Sequence, residues 1–209
     1  MGKKILMKRF KVKNVKGEKK LISIVKEPAI ITTGLYFNDE PMYEIKMSVD
    51  KDKMMLVGPT MIPDMDLVKN IGGEICSIVF TKEEVKNFII EWGNQNGDKI
   101  NFDHTGVMVK ALIVNSIILE TEYDTKWIKD KWGYDLPIGT HWLELKIEDE
   151  IFWKDKIKDK GYIGFSIESI FNFNLDNYEM AEVEINFSEE KMDKVIDLIV
   201  KDLIEGLKK

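Results

Sequence analysis

The segment HWLELKI, residues 141–147, places His141, Leu143, Leu145 and Ile147 on one side of an extended chain and Trp142, Glu144 and Lys146 on the other. Alternation with period two is the pattern of a strand, so the chain around it is read as a sheet protein. Downstream, EDEIFWKDKIKDKG (148–161) carries Ile151, Phe152 and Ile157 among charges and ends at a glycine, which reads as a short amphipathic helix. It delivers the chain into GYIGFSIES (161–169), a strand. The turn NLDNYE then leads to AEVEINF (181–187), expected to be that strand's antiparallel partner. Ser188 caps a final helix over residues 189–207 with Met192, Val195, Ile196, Ile199, Leu203 and Ile204 as its apolar stripe.

Upstream, TEYDTKWIKDKWGYDLPIG (121–139) reads as an excursion containing a helical turn or a loop, and VKALIVNSIIL (109–119) as a strand with buried faces. Thr81 followed by Glu84 has capping-box spacing, and Val85, Phe88, Ile89 and Trp92 recur at helical intervals up to Gly93. EICSIVF (74–80) is a further strand. Met54 to Val57 form another, after which Gly58, Pro59 and Pro63 force an irregular connection. Before residue 50 lie several short strands separated by turn residues. The class is α+β, in three sections: a β-rich stretch over 1–50, a core over 51–187 and the terminal helix over 188–209.

Bulk properties narrow the function. A chain of 209 residues, 44% hydrophobic, buries one good-sized core. Its net charge of −6, pI near 5.2 and interspersed charges argue against nucleic acid as a partner. The amino terminus lacks the apolar run of a signal peptide, and no stretch reaches membrane-span length, so a cytoplasmic protein is expected. The single cysteine, Cys76, excludes an internal disulfide and sits in a buried-strand pattern unsuited to catalysis. With only two histidines, far apart, neither a metal centre nor another cofactor is expected.

The serine in GYIGFSIES is the residue that invites chemistry. Ser166, flanked by Phe165 and Ile167, is either a sheet-face serine bonded to a carbonyl or a nucleophile held on a strand. Activation needs a base, and histidine titrates near working pH. His104 lies in DHTG, just before a glycine, at the kind of strand-end turn where sites collect. His141 sits beside leucines on its strand face and is expected to be a packed bystander. No G-x-S-x-G elbow is present, because Glu168 stands where the second glycine belongs. Carboxylate pairs drawn from Glu144, Glu168 and Glu182 arise by chance in so acidic a chain.

Five stretches, in order, resemble the XkdF-like serine proteases of tailed phages, relatives of the prohead (capsid maturation) proteases and, distantly, of the herpesvirus assemblins. They are LISIVKEPAI, LVGPTMIPDMDLV with its G-P-x-x-I-P pattern, INFDHTG, DLPIGTHWLELKI and GYIGFSIESIF, spanning roughly residues 21–171. The resemblance implies a mostly antiparallel, β-barrel-like core flanked by a few helices. It also implies endopeptidase cleavage of phage scaffold and major capsid proteins inside assembling proheads in the host cytoplasm, with Ser166 as nucleophile and His104 as general base. For the third member it leaves several candidates. Relatives carry a glutamate where Asn115 stands before Ser116; the assemblin analogy points to Glu182 or Glu184; and Glu168 shares a strand face with Ser166. A protease-fold structural protein without turnover is the alternative. The terminal helix either packs on the protein's own sheet or forms a homodimer contact, the latter suiting an enzyme that stays quiet until concentrated.

Overall fold

A computed structural model of the chain describes residues 3–12, 20–26, 36–37, 40–41, 48–50, 53–71, 74–97, 99–162, 164–168 and 178–185. The strands are β1 (Lys3–Lys11), β2 (Leu21–Val25), β3 (Tyr36–Phe37), β4 (Glu40–Pro41), β5 (Ser48–Asp50), β6 (Met55–Met61), β7 (Leu67–Ile71) and β8 (Glu74–Val79). After helix α1 (Lys82–Asn96) come β9 (Ile100–Phe102), β10 (Val107–Val109) and β11 (Ala111–Ile118). Helix α2 (Glu122–Trp132) and β12 (His141–Ile147) follow, then α3 (Glu150–Phe152), which continues as a π-helical turn through Trp153–Lys158. β13 (Gly164–Glu168) and β14 (Glu179–Ile185) complete the described chain.

These strands form three four-stranded sheets, ordered β14-β1-β8-β7, β10-β9-β2-β13 and β11-β12-β6-β5, with β3 and β4 as a separate pair. The α+β class and the mostly antiparallel pairing hold, with β1–β8 and β2–β9 as parallel exceptions. The barrel does not. Among the described residues the ladders stay open, and burial is achieved by stacking: Ile22, Ile24, Ile100 and Phe165 of one sheet share a core with Leu56, Leu143, Leu145 and Ile147 of another and with Val85, Phe88 and Trp92 of α1. The expected partnership of AEVEINF with GFSIE is also replaced. β14 pairs with β1, opposing Val183 to Ile5, while β13 pairs with β2 and β5 with β6, so strands from the first fifty residues are woven into all three four-stranded sheets.

Local chemistry explains the helices. The Thr81 hydroxyl accepts from the Glu84 N–H, and α1 runs three residues beyond Gly93, to Asn96. The segment 121–139, expected to contain a helical turn or a loop, holds an 11-residue helix. Thr121 and Asp124 form a reciprocal capping box, and Gly133 closes α2 at φ 82, a conformation glycine adopts without cost. Strand β6 passes straight through Gly58-Pro59, where an irregular connection was expected. The described part of β5 pairs only as far as Val57, so among the described residues no strand adjoins Pro59 on that side to miss its absent N–H. The terminal helix over 189–207, and with it the proposed dimer contact, lies outside the described residues. No described helix is long and apolar enough to cross a membrane.

Candidate active site

Three adjacent strands, β11, β12 and β6, bring Ser116, His141 and Thr60 together. His141 opens β12, opposite Ile118 on one side and Met61 on the other. The register with β6 then jumps from His141–Met61 to Trp142–Pro59, leaving Thr60 as the extra residue of a bulge. A second bulge lies on β11. Ile113 opposes Leu145, Asn115 opposes Glu144 and Ser116 opposes Leu143, so Val114 is the inserted residue and Ser116 is returned to the face that carries His141.

The Ser116 Oγ stands 2.9 Å from His141 Nε2, and Thr60 Oγ1 stands 2.6 Å from His141 Nδ1. His141 is fully buried, with Trp92 edge-on to its ring at 6.3 Å, and burial pushes its pKa down from 6.5 to about 3. The imidazole is therefore neutral at physiological pH, with one donor and one acceptor nitrogen. When Nδ1–H donates to Thr60, Nε2 is the acceptor and Ser116 donates its hydroxyl proton to it, which is the arrangement a nucleophile requires. Ser116 itself is exposed. It lines a cleft of about 580 Å³ between β11 and the second half of α1, walled by Ile89, Trp92 and Ile113 and left open at Gly93, where a side chain would meet nothing.

The residues singled out from sequence are placed as follows. Ser166 lies half-buried on β13 opposite Ser23, whose hydroxyl donates to Asn101 Oδ1 at 3.3 Å in a polar row across β13, β2 and β9. His104 is exposed, at φ 56, in the turn between β9 and β10. Since β9 and β13 flank β2, their axes are about 10 Å apart, and the turn leads away from β13 toward β10. Sheet order thus places Ser166 and the turn carrying His104 on strands separated by β2. Asn115 opposes Glu144, on the face turned away from His141. Glu182 is exposed and opposes Leu6 in the sheet of β1; Glu184 opposes Lys4 in the same sheet; Glu168 ends β13 opposite Leu21.

Two other polar groups are structural. Asp66, buried, receives both the Nε (2.7 Å) and an Nη (2.5 Å) of Arg9 and the hydroxyl of Ser77, and the Asp66 bond raises the Arg9 pKa. Ser77 is fully buried. Glu144, also buried, accepts from Trp142 Nε1 at 3.2 Å and faces Lys131 at 3.6 Å. Burial pushes the Cys76 thiol up, which keeps it protonated. No group of three or more His, Cys, Asp or Glu side chains with metal-binding geometry occurs among the described residues.

Local periodicity hides the Ser116–His141 pairing from the sequence. Strict alternation from Ile113 puts Asn115, not Ser116, on the His141 face, and only the bulge at Val114 reverses this. The asparagine-serine step inside an apolar strand was the available signal. Comparison with known protein families, curated proteins and solved structures yields no match.

Proposed function

We propose that this chain is a serine hydrolase whose nucleophile is Ser116 and whose general base is His141. The observation that carries the reading is the 2.9 Å contact between an exposed serine hydroxyl lining an open cleft and a buried, neutral imidazole. In the reaction Ser116 Oγ bonds to the substrate carbonyl carbon as its proton passes to His141 Nε2. The imidazolium returns that proton to the leaving group as the carbonyl–leaving-group bond breaks, and water then hydrolyses the acyl-enzyme with the same base. Thr60 holds the ring through Nδ1–H. Within this class, the resemblance of five stretches to phage prohead proteases suggests an endopeptidase acting on scaffold and major capsid proteins, although the serine in that motif series is Ser166 and not Ser116.

A second reading is a protease-fold structural protein without turnover. It is favoured by the same histidine: its partner is a neutral hydroxyl rather than a carboxylate, and a buried imidazole with a pKa of about 3 is a weak base. Co-expression with the adjacent head genes, followed by intact-mass analysis, separates the two. Processing by the wild type and by Ser166→Ala, with none by Ser116→Ala, is the result expected. Unprocessed head proteins with the wild type would favour the structural role.

A further inference from the structure

The edge of β11 provides a place for an extended chain. This strand ends its sheet and pairs only with β12 among the described strands. The Leu119 N–H donates to Thr140 and its carbonyl accepts from Gly139, so Leu119 directs its backbone toward β12. Hydrogen-bonding direction alternates along an antiparallel strand, so Ile118 and Ser116 direct their N–H and C=O groups to the open edge. Beyond the bulge the Lys110 carbonyl accepts from Glu148, which sends Ile113 and Ala111 outward as well. The residues whose side chains line the cleft, Ile113 and Ser116, thus also present beside it backbone groups that no described strand pairs. The edge carries no blocking charge over its length from Ala111 to Ile118, and Leu112 and Val114 on its other face are about half exposed, at 53% and 50%.

Resting on the serine-hydrolase reading, we propose that the substrate is an extended polypeptide segment that docks as an added strand on the β11 edge. Backbone groups of Ile113, Ser116 and Ile118 form the ladder. A large apolar side chain of the segment enters the cleft between Ile89, Trp92 and Ile113, which sets its carbonyl beside Ser116 Oγ. A small-molecule ester or a folded surface loop would leave the ladder unused.

The test has two steps that fail separately. First, wild type and Ser116→Ala are incubated with a proteome-derived peptide library and the new termini are read by mass spectrometry. Cleavage lost in Ser116→Ala, with a large apolar residue enriched at one fixed position, is the expected result. Absence of any cleavage by the wild type would overturn both the proposal and the hydrolase reading, whereas cleavage without apolar enrichment would overturn the proposal alone. Second, one cleaved peptide is resynthesised with a single backbone N-methyl at each position in turn. Loss of cleavage by tenfold or more at alternate residues supports an added strand; uniform tolerance, or loss without that period, overturns it. As a check from the protein side, Ile118→Pro, confirmed folded by thermal melting, should lose cleavage of the same peptide, and unchanged cleavage would contradict the ladder.

Discussion

Two serines sit on strands of this protein, and their surroundings differ in every respect that matters for chemistry. Ser166 lies in a row of neutral side chains, opposite Ser23, whose own hydroxyl is committed to Asn101. Ser116 is exposed on a cleft and meets an imidazole that is fully buried and neutral. The first arrangement ties Ser23 to Asn101 within a sheet; the second sets a proton acceptor behind an accessible hydroxyl. Under the proposed reading, reactivity follows from which histidine the strands place beside a serine rather than from the motif that surrounds the serine.

Exchange of the two histidines tests the contrast most severely. His141→Gln should lower hydrolysis by about 10³-fold or more, while His104→Gln should leave it within about twofold, both read as kcat/KM. A large loss with His104→Gln in a folded protein would move the chemistry to the other pair.

The pH dependence of stability comes next in size. Folding depresses the His141 pKa from 6.5 to about 3, so the unfolded chain binds more protons between these values. The stability contributed by keeping this ring neutral is complete above the unfolded pKa and is lost as pH falls toward about 3. Urea midpoints should therefore decline by the equivalent of a few kcal/mol on acidification across that window. His141→Gln should flatten part of this slope, and an identical slope in the variant would show that the ring is not buried neutral. The acid limb of kcat/KM should likewise lie well below pH 6.

Thr60→Val removes the partner of Nδ1 while keeping the shape of the bulge. A net hydrogen bond of about 1 to 1.5 kcal/mol corresponds to a roughly tenfold drop in kcat with KM little changed. An effect on KM alone would mean that Thr60 shapes the cleft and does not hold the ring. The smallest effect on folding is expected at Gly93, where an added methyl meets open space on a helix: Gly93→Ala should stabilise the fold by about 0.5 to 1 kcal/mol, read from urea midpoints. Destabilisation would show that the helix wall of the cleft is packed more tightly than the contacts at Gly93 imply.

How much of this was legible in the sequence depends on whether a residue obeys its local period. His141 to Ile147 alternate, and the strand they predict is present. Thr81, Glu84 and the Val85–Phe88–Trp92 spacing gave a helix that misses only its last turn. The site was hidden because both of its hydroxyl residues depend on bulges: Val114 reverses the face of Ser116, and Thr60 is itself the inserted residue. Such insertions depend on pairing with a partner strand, which local spacing does not encode. Strand partnership had the same character: AEVEINF was correctly read as a strand, but which strand it joins, β1 and not β13, is fixed by contacts far apart in the chain.

The most direct measurement is covalent labelling with a fluorophosphonate, mapped by peptide mass spectrometry in the wild type, Ser116→Ala, Ser166→Ala and His141→Gln. The account predicts a single adduct on Ser116, retained in Ser166→Ala, absent in Ser116→Ala and strongly slowed in His141→Gln. An adduct on Ser166 that survives Ser116→Ala would contradict it.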